Sequence, residues 1–261
     1  MVSEFRAAEK PLLVKCSGKV LSEERMGEIA SMHRNGRRIV LVHGGGAQID
    51  ESVRSELRQE PEFDRKTGLR LTDWKTMAIV ADVIDWINRD VVSALSGMGI
   101  AAAGFNLEKS IFQGLALEGR IGRYGRITST DALGVMQAVL EGRLAVVAPV
   151  GRDLEGGELN LNADDAAVEL ARELGLGEVV FLTKTKGILG AGGKEVREIR
   201  GKAGFDAFCA SNPVGKGMVE KAYACRLALG YGIGVRISSG LVEDALAHSL
   251  DGNPFGTTVR A

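Results

Sequence analysis

The sequence offers its clearest chemistry where apolar runs give way to glycine and lysine. Lys15-Cys16-Ser17-Gly18-Lys19 follows one such run, so an ammonium and the N–H groups of a glycine turn meet at a strand end. That combination suits a phosphate. His43-Gly44-Gly45-Gly46 follows a second run and precedes a helical pattern. One glycine would serve a tight turn. Three in a row point to a ligand that comes close to the backbone, whose N–H groups no Cβ would shield. The spacing is neither the G-x-G-x-x-G of dinucleotide-binding folds nor the G-x-x-x-x-G-K-S/T phosphate loop.

Four further clusters follow. GLRLTD (68–73) places Arg70 shortly before a helix, where a guanidinium can grip a carboxylate with two parallel hydrogen bonds. Asn160-Leu161-Asn162-Ala163-Asp164-Asp165 supplies more polar groups than one helix cap needs, and the surplus can bind substrate or orient a lysine. FLTKTKGIL (181–189) runs from a buried strand into a polar turn. GKGMVEK (215–221) sets Lys221 one helical turn after Gly217, near a helix start that favours an anion. Alone, a solvated lysine or arginine is the default reading at Lys15, Arg70 and Lys221.

The elements that position these clusters alternate. Leu12–Lys15, Ile39–Val42, Leu144–Ala148, Val179–Leu182, Val235–Ile237 and Thr257–Val259 read as strands. Helical patterns lie after Ser22, a suitable cap, with Gly36 as a stop, and over Met77–Leu95, Ala163–Leu174 and Met218–Leu229. Continuous apolar strands separated by helices imply a mostly parallel sheet covered on both faces. Phe105–Thr130, rich in glycine and alternation, reads as a hairpin-rich insertion. The expected organisation is a single two-lobed domain.

The composition excludes several classes. The chain has 261 residues, 45% hydrophobic and 26% charged, with a formal net charge of −1. It has no basic stripe for nucleic acid and no bulk charge for a membrane surface. Three scattered cysteines suggest neither a disulfide framework nor a zinc site. The start lacks a secretory signal and no apolar run is long enough to span a bilayer, which leads to a cytoplasmic expectation.

Taken in order, Lys-x-x-Gly, HGGG, GLRLTD, NLNAD, LTxxxGIL, GMxxK and GTTV resemble the amino acid kinase family, and within it the branch acting on N-acetyl-L-glutamate. The resemblance runs from Leu12 to Val259. It implies a three-layer αβα sandwich with an acceptor-binding N-terminal lobe (about 1–160) and an ATP-binding C-terminal lobe (about 161–261). The implied reaction moves the γ-phosphoryl of ATP to the side-chain carboxylate of N-acetyl-L-glutamate, an early step of arginine biosynthesis. Magnesium would be held mainly by the ATP phosphates, with no protein metal site.

By the same resemblance Lys15 and Lys221 neutralise the moving phosphoryl and Asp164 holds both lysines. Gly18 and Gly44 match phosphate donors. Gly45, Gly46, Arg70 and Asn160 match acceptor contacts, Arg70 on the α-carboxylate and Asn160 on the acetamido group. Lys184, Thr185, Lys186, Gly187, Ile188 and Leu189, with Pro213, Val214 and Gly215, match nucleotide-binding stretches. A homodimer is implied. The chain departs from the family pattern at Ser17, where a second glycine is usual, at Lys184, where an acidic residue is usual, and at Lys216. The acceptor-lobe segment GFNLEKSIFQG (104–114) also differs. The rival readings are a same-family kinase with another acceptor, a non-catalytic ligand-binding relative and a Rossmann dehydrogenase.

Overall fold

A computed structural model describes residues 10–65, 67–117, 119–190, 193–212, 216–250 and 256–261. In chain order, β1 (Leu12–Cys16), α1 (Glu23–Arg34) and β2 (Ile39–His43) form the first strand–helix–strand unit. α2 (Gly46–Leu57), the long α3 (Trp74–Gly97) and β3 (Ala102–Phe105) follow. Then come β4 (Phe112–Ala116), β5 (Tyr124–Thr130), α4 (Leu133–Leu140), β6 (Leu144–Val147), β7 (Val150–Arg152) and β8 (Glu158–Leu161). The remainder is α5 (Ala163–Glu173), β9 (Glu178–Thr183), β10 (Glu198–Arg200), α6 (Gly201–Ser211), α7 (Lys216–Gly230), β11 (Gly234–Ser239), α8 (Ala245–Leu250) and β12 (Thr257–Arg260).

Eight strands form one sheet in the order β10-β12-β11-β9-β1-β2-β6-β3. Its pairs are parallel except β11 with β12. Alternation along each strand divides the core in two. Leu13, Val40, Val42, Val147, Phe181 and Ile237 face one layer, built from α4, α5, α6 and α7. Leu12, Val14, Leu41, Val146, Val180 and Leu182 face the other, built from α1, α2, α3 and α8. The architecture is the three-layer αβα sandwich with a mostly parallel sheet.

Local signals explain the helix ends. Ser22 caps α1, its hydroxyl accepting from the Arg25 N–H at 3.2 Å. Asp73 caps α3 in the same way through the Thr76 N–H at 2.8 Å. Gly36 ends the turn after α1 at φ +89°, backbone that disfavours a side chain. The hairpin-rich segment is the β4–β5 pair, but it does not stand alone. β7 and β8 complete it as a closed four-stranded barrel. Gly151 sits where an added Cβ would lie 2.8 Å from the Phe112 carbonyl, so the small barrel has no room for a side chain there. Among the described residues no helix is long and apolar enough to cross a membrane.

Candidate active site

β1, β2 and β9 are parallel neighbours, so their carboxyl ends open on the same edge of the sheet. β1 delivers Lys15 one residue before its end, on the Leu13 face and toward α5, while Cys16 falls into the opposite core. α5 supplies the partner. Asn162 caps it, its Oδ1 accepting from the N–H groups of Asp164 (2.8 Å) and Asp165 (3.1 Å). Asp164 therefore stands in the first turn, where the helix dipole favours a carboxylate. Asn160 is not part of this cap. It lies within β8, ahead of the cap.

Asp164 holds both lysines. Its Oδ1 is 2.6 Å from Lys15 Nζ and its Oδ2 is 2.9 Å from Lys221 Nζ. Lys221 comes from α7, and its ammonium also stands 5.7 Å from the centre of the Phe181 ring. Burial alone would raise the Asp164 carboxyl, but the charges of Lys15 and Lys221 outweigh it and hold the group below the usual carboxylate range. Burial draws Lys15 below the ordinary lysine value, with Lys221 adding to the shift and Asp164 opposing it. Two ammoniums on one carboxylate leave a net positive charge, and a water-poor setting strengthens its pull on an anion.

A cleft of about 320 Å³ opens over Lys15 and Asp164, lined also by the three glycines after β2. The glycines have different reasons for being glycine. The Gly44 N–H donates to the Cys16 carbonyl at 2.9 Å, so it is committed to the backbone and not available to a phosphate. Gly44, expected to meet a phosphate, thus lines the cleft with its N–H already engaged. At Gly45 an added Cβ would lie 2.6 Å from Ile84 Cδ1 and 2.7 Å from Ile87 Cδ1, so close packing of α3 sets this residue. Nothing lies within 4 Å of a Cβ built on Gly46, the first residue of α2. Among the described residues the N–H groups of Gly18, Gly45 and Gly46 carry no hydrogen bond, and all three glycines line the cleft. The expected close approach of a ligand is thus left to Gly18, Gly45 and Gly46.

The far wall presents a guanidinium held in place by the protein itself. Arg70 is buried, stacked 4.9 Å over Phe63, with Nη1 donating to Asp50 at 2.6 Å and Nη2 to the Gly46 carbonyl at 3.2 Å. Asp50 and Phe63 went unread in the sequence, and both line the cleft. Asp50 lies on α2, 20 residues from its partner, so no local spacing signals the pair. Asn160 donates through Nδ2 to Thr72 Oγ1 at 3.2 Å, which leaves its carbonyl oxygen to accept from a ligand. Ile49, Ile84 and Leu161 give the same cleft apolar surface. Below it His43 is fully buried, its Nε2 3.1 Å from Asn88 Nδ2 and its Nδ1 3.4 Å from the Gly44 carbonyl. Burial lowers its pKa to about 4, which keeps the ring neutral.

The residues matched to the nucleotide lie outside this cleft. Lys184, Thr185 and Lys186 are exposed just beyond β9. Gly187 and Ile188 are buried, with the Ile188 N–H donating to Thr257 Oγ1 at 2.7 Å, while Leu189 is half-exposed. The Ile188 side chain belongs to the core rather than to a binding surface. Pro213, Val214 and Gly215 lie outside the described residues. Among the described residues no cluster of three or more His, Cys, Asp or Glu is placed to hold a metal ion.

A sequence model described as the amino acid kinase family matches residues 10–239. The chain belongs to the amino acid kinase family. Among its relatives, an acetylglutamate kinase of Kosmotoga olearia is 31% identical over 255 residues, covering 94% of this chain and 88% of that one. A putative LysW-aminoadipate/LysW-glutamate kinase of Pyrobaculum aerophilum is 28% identical, over 92% of this chain and 96% of the other. The fold is shared with an N-acetylglutamate synthase of Neisseria gonorrhoeae solved with coenzyme A and N-acetyl-glutamate. The TM-score is 0.85 at 20% identity, over 97% of this chain and 60% of that longer one. As an amino acid kinase family member the protein is a phosphotransferase.

Proposed function

We propose that the protein transfers the γ-phosphoryl of ATP to the side-chain carboxylate of N-acetyl-L-glutamate, a step of arginine biosynthesis. The observation that carries this reading is the pairing of Lys15 and Lys221 on Asp164 beneath a cleft whose far wall presents Arg70. One end of the cleft is cationic and suited to phosphate, and the other holds a guanidinium suited to a carboxylate.

The acceptor is already an anion, so the reaction needs no general base. Catalysis reduces to alignment and to neutralising charge that spreads over the phosphoryl oxygens. In this reading Lys15 and Lys221 meet that charge from one side, and the free N–H groups of Gly18, Gly45 and Gly46 meet it from another. Arg70, pinned by Asp50 and Phe63, takes the acceptor's α-carboxylate, and the Asn160 carbonyl oxygen accepts from its acetamido N–H. Ile49, Ile84 and Leu161 exclude water from the acyl portion. Asp164 has both oxygens engaged by ammoniums, so the donor set fits a magnesium ion that is held by the ATP phosphates and supplies further neutralisation. ATP itself would lie toward Lys184–Leu189 and Pro213–Gly215. The two lobes, about 1–160 for the acceptor and about 161–261 for ATP, would meet at this cleft, and a homodimer is the proposed assembly.

The test is ADP formation by purified protein with N-acetyl-L-glutamate, beside free glutamate, N-acetyl-aspartate, N-acetyl-aminoadipate and UMP, with hydroxylamine trapping of the acyl phosphate. Turnover with N-acetyl-L-glutamate supports the assignment. Turnover only with another acid keeps the mechanism and moves the acceptor, the direction in which the Pyrobaculum relative points. No turnover with any of them overturns the assignment of N-acetyl-L-glutamate as acceptor and weakens the catalytic reading. Lys15→Ala and Lys221→Ala should each lower kcat by about 10²-fold or more, as loss of a charge-stabilising group does elsewhere.

A further inference from the structure

We infer that the Ser17 hydroxyl is a catalytic hydrogen-bond donor to the phosphoryl group in transfer, which deepens the phosphotransfer reading above and rests on it. Ser17 lines the cleft with Lys15, Gly18 and Asp164. Its backbone is fully committed, because its N–H donates to the Leu182 carbonyl at 3.2 Å and its carbonyl accepts from the Val20 N–H at 2.9 Å. A backbone accounted for in this way leaves the side chain as the only polar group Ser17 can offer a ligand. Among the described residues that hydroxyl makes no hydrogen bond. It does not close the turn it stands in, since the Val20 N–H already goes to the Ser17 carbonyl.

The position is also well fixed. A Cβ on Gly44 would come within 3.6 Å of Ser17 Cα, and one on Gly18 would stand 3.2 Å from Gly45 Cα. The turn carrying Ser17 is therefore packed against the glycine loop, with no slack between them. The strand carrying Lys15 is pinned on both edges by β2 and β9. A hydroxyl held two residues after the lysine adds a directed donor to an anion site without adding charge. The ammoniums act through the field, whereas a hydroxyl rewards an oxygen in one place. Ser17 forms no covalent bond in this role and loses no proton.

The experiment compares Ser17→Ala, Ser17→Gly and Ser17→Thr with the intact protein. It uses steady-state kinetics with ATP and the accepted acid, and calorimetric binding of magnesium ADP with aluminium fluoride. Removal of the hydroxyl in either small variant should lower kcat by about tenfold, with both KM values within about twofold. Affinity for the aluminium fluoride complex should fall by about the same factor, while affinity for a non-hydrolysable ATP analogue stays within about twofold. Ser17→Thr, which keeps a hydroxyl, should recover most of the rate. A kcat within about twofold of the parent in both small variants overturns the inference, as does a loss confined to KM. Phosphoserine at position 17 after turnover also overturns it, since the hydroxyl would then be an acceptor. Lys15→Ala separates the two levels. If it too leaves aluminium fluoride binding unchanged, the phosphotransfer reading fails; if it weakens binding and the Ser17 variants do not, only the role of Ser17 fails.

Discussion

Burial and Lys221 both hold the Lys15 ammonium below its ordinary pKa, against the opposing pull of Asp164. A lysine with a lowered pKa gives up its proton at a lower pH, so the charge assigned to transfer in the proposed reaction disappears earlier on the alkaline side. In a profile of kcat/KM, which reports the free enzyme, the alkaline limb should fall below the ordinary lysine value of 10.5. Lys15→Arg should flatten that limb, because a guanidinium does not deprotonate there. His43 governs the acid side. Its folded pKa is lowered from 6.5 to about 4, so the unfolded chain binds the extra proton. Stability is complete above 6.5 and is lost as pH falls from there toward 4, by on the order of 3 kcal/mol across the span. Urea unfolding at several pH values should show this loss, and His43→Asn should remove most of it. Asp164 adds little in that window, since its stabilising contribution is lost only as pH falls through the ordinary carboxyl value of 3.8 and below, where the unfolded chain takes up the proton first.

At the scale of elements, the stretch between β2 and α2 separates packing from binding. Gly45→Ala drives a methyl into Ile84 and Ile87 and should cost about 1–3 kcal/mol in thermal or urea unfolding, with activity falling as α2 shifts. Gly46→Ala meets nothing and places a better helix former at the start of α2. It should hold or raise stability while reducing activity, because its methyl would stand over a free N–H in the cleft. The sequence showed that something came close to this loop but not that α3 was half of the answer. The apolar runs of β1, β2, β6, β9 and β11 were legible because strands buried on both faces need no polar alternation. β7 and β8 were not. They are three and four residues long, and β8 carries Asn160 beside a real cap, so its polar residues read as part of the helix start. Lys15, Asp164 and Lys221 stood out through their neighbours, whereas Asp50 and Phe63 became visible only once α2 and the loop before α3 were folded together.

At the scale of the molecule, a buried ion pair ties α1 to the segment after β11. Arg25 Nη2 donates to the carbonyls of Gly240 (3.0 Å) and Val242 (2.6 Å), and Arg25 also pairs with Glu28. Glu28 in turn accepts from the Leu246 and Ala247 N–H groups at 2.7 and 3.1 Å. Arg25→Ala strands a buried carboxylate and should lower stability by about 3–5 kcal/mol in urea unfolding. The sheet order has a consequence for the chain while it is being made. Asp164 leaves the ribosome 57 residues before Lys221. Over that interval it can meet only Lys15, as a neutral couple with no net attraction for ATP. β12 then has to enter between β10 and β11 before that half of the sheet closes. A nascent chain arrested before residue 221 should therefore fail to capture a fluorescent ATP analogue that the released protein retains, which would tie the proposed nucleotide affinity to the emergence of α7.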